Sequence, residues 1–194
     1  MTGVQTCALP IYPNVFFDTA WWSVADQLAL FSLVPPGQIL YATDIPFGTP
    51  RQTVIGVFRA ALQAGLSDEQ LASVASGQLE RIVAGDDTLD LGPAPHPEGV
   101  RSDPLLARVN DYLVAAFATA LAGGSDLEFI DLARLSCVVG EDAPQAAHCA
   151  AILELLELAL ATPTGDTIAQ RIAHIHLLVT AAAIAATPDV PVTP

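Results

Sequence analysis

Lysine is absent from the 194-residue sequence: all seven cations are Arg, set against 21 Asp and Glu for a net charge of -14. That balance leaves no basic surface for nucleic acid or an anionic membrane. Cysteine is nearly as scarce. Cys7, Cys137 and Cys149 make no Cys-x-x-Cys pair, which argues against a disulfide framework or zinc knuckle and for a reducing cytoplasm. A full membrane span is lacking too. The most membrane-like segment, 172–188, contains His174 and His176 and falls short of the roughly 20 residues a span needs. A buried core helix is expected there. What is abundant is apolar: 52% of residues are hydrophobic and the mean hydropathy is +0.48. Plentiful Ala, Gly and Pro with Arg-only cations suggest a GC-rich bacterial genome. The length suits one ordinary domain or two small ones.

Met1-Thr-Gly-Val-Gln-Thr-Cys-Ala-Leu-Pro-Ile11 shows neither strand alternation nor a helical stripe. It also lacks the basic start and apolar core of a signal peptide. It resembles the translated frame of a common short-read sequencing adaptor, V-T-G-V-Q-T-C-A-L-P-I. On that reading residues 1–11 are not native, the gene is cut at residue 12 and the chain is a C-terminal fragment. Cys7 then carries no chemistry.

From residue 12 the pattern becomes regular. Asn14-Val15-Phe16-Phe17-Asp18-Thr19 is a short apolar run ending in polar residues. Ser23 can cap a helix with an apolar face at Ala25, Leu28, Ala29, Phe31 and Leu33, stopped by Pro35-Pro36-Gly37. Ile39-Leu40-Tyr41-Ala42 then reads as a buried strand, with Asp44 at its carboxyl end before a Pro/Gly-rich turn. Strand, helix, strand with short joints is a βαβ unit with a parallel pair. A helix after Pro50 presents Val54, Val57, Phe58, Ala61 and Leu62 and ends at Gly65. Ser67 and Gln70 form a capping box for the next helix, striped by Leu71, Val74, Ala75, Leu79 and Ile82 and closed by Gly85.

The order N-V-F-F-D-T-A-W-W, a helix, then P-G-Q-I-L-Y-A-T-D-I-P-F-G resembles the last part of the amidohydrolase-related metal-dependent hydrolases. Thr43-Asp44-Ile45-Pro46 matches their Ser-Asp-x-Pro pattern with Thr in place of Ser. Gly77-Gln78-Leu79-Glu80-Arg81-Ile82 stands where they carry Asn-Ala-x-Arg-Leu, keeping only the Arg. The resemblance covers 12–85, under half the chain. It implies an α/β fold, the C-terminal part of a (β/α)8 TIM barrel, and a small-molecule substrate. It also implies a divalent metal, zinc by preference, with Asp44 as metal ligand or as the base that takes a proton from the attacking water. Asp18, Trp21 and Trp22 would face the same cavity as a substrate pocket wall. Their plain alternatives are an Asx or capping role for Asp18 and helix packing for a Trp. The plain alternative for Asp44, even with the metal role before the resemblance is weighed, is a cap on the turn before Pro46. One Asp cannot hold a catalytic metal, which takes three protein ligands. The family's His-x-His and other ligands would lie before Tyr12, so the chain alone is expected to be inactive. The group also includes decarboxylases, which leaves that chemistry as an alternative.

Residues 86–102, with Gly92-Pro93-Ala94-Pro95-His96-Pro97, read as an extended linker. Residues 103–187 then read as four helices in a small bundle, followed by a tail at 188–194. The first opens at Asp103-Pro104, bears Leu105, Leu106, Val109, Tyr112, Leu113, Ala116 and Phe117, and ends at Gly123-Gly124. Ser125 with Glu128, Asp142 with Gln145, and Asp166 are the expected caps of the other three. The third helix should face inward through Ala147, Ala151, Leu155 and Leu158, and the fourth through Ile168, Ile172, Ile175, Leu178 and Val179. His174 and His176 point about 200° apart on a helix and cannot grip one ion together. Cys137 and Cys149 are expected as small buried apolar residues. This half either covers the barrel or builds a homo-oligomer interface. A non-catalytic helical interaction module is therefore the second reading of the whole chain.

Overall fold

The computed structural model describes residues 12, 14–45, 49–95 and 100–192. The adaptor-like segment 1–11, Pro46 and Gly48 of the turn at 46–48, and His96 lie outside them. The chain divides into two compact units, Met1–Val100 and Arg101–Pro194.

The first unit runs β1 (Phe17–Asp18), α1 (Val24–Leu33), a 3-10 turn (Pro36–Gln38), β2 (Ile39–Leu40) and α2 (Pro50–Gln63). It continues through α3 (Asp68–Ala72), a π turn (Ser73–Gly77) and α4 (Gln78–Ala84). Several local signals act as the sequence implies. Ser23 accepts from the Asp26 N–H at the start of α1, and Ser67 and Gln70 close a reciprocal capping box on α3. Gly65 and Gly85 take the left-handed conformation that ends a helix. Leu30, Phe31, Val34, Ile39, Val57, Ala60, Ala61 and Val74 form the core between these elements.

The barrel expectation is overturned. Among the described residues 62% are helical and 2% are in strands, with no part of a TIM barrel evident. β1 and β2 do pair in parallel, but only through Phe17↔Ile39 and Asp18↔Leu40. Two contacts explain why the ladder stops. On one side, the Thr19 hydroxyl takes over from the backbone, accepting from Ala42 N–H at 3.0 Å and donating to Ala42 C=O at 3.3 Å. On the other edge of β2, Tyr41 N–H donates to the Val74 carbonyl of the π turn at 2.9 Å. A helical carbonyl sits where a third strand would bond, so the sheet cannot grow.

The side chains that face inward also differ from the expected stripe. Leu79 of the expected stripe is exposed, and Gln78 is fully buried in its place. Its side-chain amide donates to Gly37 C=O at 2.5 Å and Leu89 C=O at 3.1 Å, while its oxygen accepts from Leu89 N–H at 2.9 Å. The start of the expected linker is thereby stitched to the unit. The approach is so close that a Cβ at Gly37 would lie 2.5 Å from the Leu89 oxygen, so only glycine fits there.

The second unit comprises α5 (Pro104–Ala122), α6 (Leu127–Ser136), α7 (Ala146–Ala161) and α8 (Ile168–Ala186). α8 packs on α5 and α7, and α5 packs also on α6. Asp103 caps α5, accepting from the N–H groups of Leu105 and Leu106 at 3.0 Å each, with Pro104 at the first helical position. The other caps differ from expectation. α6 starts from Asp126 and α7 from Gln145, neither with a side-chain cap bond. α8 starts from Thr167, which closes a capping box with Gln170. The inward faces also differ in part: on α7, Ile152, Leu156 and Ala159 are buried while Leu158 is exposed, and on α8, Ile175 and Leu178 are buried as expected, with Ala181, while Ile168 and Ile172 are exposed. α5 and α8, 19 residues each, are long and apolar enough to cross a membrane, yet both supply core residues here.

Two measurements check these anchors. Gln78→Leu strands the Gly37 and Leu89 groups and is expected to cost about 2–3 kcal/mol. That loss appears as a lower urea midpoint at unchanged slope. Burial pushes the Asp103 carboxyl up, but the Gln145 amide, the Leu106 and Leu105 N–H groups and the Arg101 charge outweigh it, so the group sits below its ordinary value. A depressed folded pKa gives stability that is present above the unfolded pKa and lost as pH falls through the folded one. Asp103→Ala should therefore cost about 1–2 kcal/mol at neutral pH, and the gap to wild type should close below the ordinary carboxylate range.

Candidate functional site

The residues singled out by sequence gather where β1 and β2 end. Thr19, 1% exposed, fixes both chain exits: its N–H donates to Leu40 C=O at 3.1 Å and its hydroxyl holds Ala42 on both backbone groups. Two residues beyond each anchor point lie Trp21 and Asp44. Both adopt positive φ, 61° for Trp21 and 52° for Asp44, the only non-glycine residues among those described to do so. The Trp21 indole Nε1–H donates to Asp44 Oδ2. Asp44 is exposed, and Trp21 is 71% exposed.

The other two expected site residues do not join them. Asp18 Oδ1 accepts from Ala20 N–H at 2.9 Å, an Asx-type contact that shapes the turn into α1. Trp22 is half-buried and packs on the core with Phe17, Val24 and Leu28. A shallow apolar pocket of about 220 Å³ is lined by Leu28, Ala29, Ser32, Leu33 and Val100. None of the four expected site residues borders it.

The donor set does not make a metal centre. Among the described residues no group of three or more His, Cys, Asp or Glu could hold an ion. Asp44 offers one carboxylate whose Oδ2 is already engaged by Trp21. A catalytic zinc takes three protein ligands, so the residues present do not fit that group by themselves.

In the helical unit one polar cluster escaped sequence reasoning. His174 Nδ1 lies 2.9 Å from Ala159 C=O and Nε2 lies 2.6 Å from Asp126 Oδ2. A carbonyl only accepts, so Nδ1 carries a proton. The pair is buried, at 4% exposure for His174 and 8% for Asp126, and it ties α8 to α7 and to the start of α6. It explains why α6 lacks a side-chain cap: the Asp126 carboxylate is turned to the histidine. The available signal was the placement of His174 beside Ile175 on the apolar face of its helix. The two cysteines lie in the same core. Burial, with the Cys149 thiol beside it, pushes Cys137 up to about 12, which leaves it a packed, unreactive thiol at neutral pH. Burial lowers the pKa of His176.

Compared with known proteins, the chain matches no family model, no curated protein sequence and no solved structure.

Substitution separates packing from function among these residues. Trp22→Ala should destabilise the first unit by about 2–3 kcal/mol through lost core contacts. Asp18→Ala should cost under about 1 kcal/mol, as the loss of one exposed turn contact does. Both are read from urea unfolding.

Proposed function

We propose that the chain carries the proton-accepting carboxylate of a metal-dependent hydrolase that acts on a small molecule, and that this carboxylate is Asp44. One observation carries the reading: an exposed acid at the carboxyl end of a parallel strand pair, in a left-handed backbone, held by the indole of a second left-handed residue. Non-glycine residues in that region cluster at functional sites because the surrounding structure must over-determine them. A fixed carboxylate beside a reacting water takes its proton and speeds the step by about 10²–10⁴-fold. The described residues do not complete a metal site, so the reading gives this chain the acid–base role alone.

A second reading makes the chain a non-catalytic interaction module. It is favoured by Leu135 and Val138, 71% and 76% exposed at the end of α6, in a unit with a complete core of its own.

Turnover of small hydrolysable substrates by the full-length protein, with divalent metal added, decides between them. The hydrolase reading expects metal-dependent turnover and a kcat lowered by about 10²–10⁴-fold in Asp44→Asn, with the circular dichroism unchanged. Absence of turnover, or unchanged turnover in the variant, sinks it in favour of the interaction module.

A further inference from the structure

We infer that Trp21 is the positioning residue for Asp44: its indole N–H holds Oδ2, so that Oδ1 alone is presented to the reacting water. The inference rests on the hydrolase reading of Asp44 and extends it to a residue that does not itself react.

The geometry behind it is costly to maintain. A left-handed conformation disfavours any residue with a Cβ, and Asp tolerates it far better than Trp because its short side chain bonds locally. Trp21 nevertheless holds φ at 61° and leaves its ring 71% exposed to water. Core packing does not explain the strain, since Trp22, the next residue, supplies the aromatic contact to the core. What the conformation achieves is direction: it swings the indole across from the β1 exit to the β2 exit, onto the Asp44 carboxylate. Asp44 in turn keeps φ at 52°, which aims its side chain back at that indole. Thr19 fixes the separation of the two exits through both backbone groups of Ala42.

An indole N–H is a donor with no acceptor capacity. It can hold an ionised carboxylate but cannot take a proton from it or compete for water's hydrogens. Engaging one oxygen restricts rotation about the Cβ–Cγ bond. The second oxygen, for which the described residues provide no hydrogen bond, is left as the acceptor. The exposed indole ring offers an apolar face against which a substrate's apolar portion can lie.

The test combines a spectroscopic and a kinetic arm. In the chain as it stands, ¹H–¹⁵N spectra with Trp22→Phe used for assignment should show a Trp21 indole resonance shifted by its carboxylate partner, and Asp44→Ala, which removes the acceptor, should remove the shift. A Trp21 resonance that Asp44→Ala leaves in place overturns the contact, whatever the enzyme proves to be. In the full-length protein, Trp21→Phe keeps the ring and deletes the N–H. It should lower kcat by about 10–100-fold, with KM within about twofold and the melting temperature unchanged. Were the indole merely a structural strap, the variant would lose melting temperature and keep kcat, and the inference would fall while Asp44 stood. If Asp44→Asn itself retained full turnover, the hydrolase reading would fall and take this inference with it.

Discussion

The arrangement of the first unit depends on one side-chain hydroxyl. Thr19 is buried at the point where two short parallel strands part, and its Oγ1 serves both the N–H and the C=O of Ala42. It does there what another residue of backbone ladder would do, but it ends the ladder rather than extending it. Beyond it, each chain is free to turn. One enters α1 through Trp21 and Trp22, and the other leaves through Asp44. Without that substitution of side chain for backbone, Trp21 and Asp44 would continue as strand residues with side chains perpendicular to the sheet. They would then have no cause to meet.

Most local signals in the sequence were legible where a short-range bond decides the outcome. Ser23, Ser67, Asp103 and the glycines at 65, 85 and 123 act within four residues of themselves, and the structure uses them as read. The same holds for the parallel pairing of the two apolar runs. What was not legible is set by contacts distant in sequence. Whether Ile39-Leu40 belongs to a barrel or to a two-residue ladder turns on the partner of Tyr41 N–H, and that partner is Val74 in the π turn. Nothing in Ser73–Gly77 announces a π turn, and the burial of Gln78 rather than Leu79 goes with its bonds to Gly37 and Leu89, 41 and 11 positions away. The resemblance covering 12–85 rested on matching short motifs, and motif order does not encode how many strands assemble beside them.

In the second unit the misplaced starts of α6 and α7 share a cause, while that of α8 is a one-residue miss of the local Thr167–Gln170 capping box. Capping by Ser125, Asp142 and Asp166 was inferred from spacing, which counts only nearby donors. Asp126 gives up capping because His174, 48 positions away, offers its carboxylate a buried partner at 2.6 Å. Gln145 is likewise drawn to Asp103, to which it donates at 2.7 Å, instead of closing its own helix start. Buried polar groups must be matched before exposed helix ends are, since water can serve the latter. That ordering of costs shifts the starts of α6 and α7 by a residue or more.

The candidate site was legible in part, and the part it missed is the informative one. Asp44 stood out through its position after an apolar run; Trp21 and Trp22 stood out only as a pair. Sequence gives two adjacent aromatics equal standing, because each can pack. The backbone separates them. Trp22 continues into a normal helix entry and buries its ring, which offsets the cost of ordering it. Trp21 pays with left-handed φ and an exposed ring, and gains a single hydrogen bond to a solvent-exposed acid. On stability alone that exchange is unfavourable, since an exposed hydrogen bond contributes only about 0.5–1.5 kcal/mol against about 1–3 kcal/mol for the strained backbone. A local arrangement that loses stability on its own terms is better accounted for by what it does to the carboxylate than by what it does for the fold.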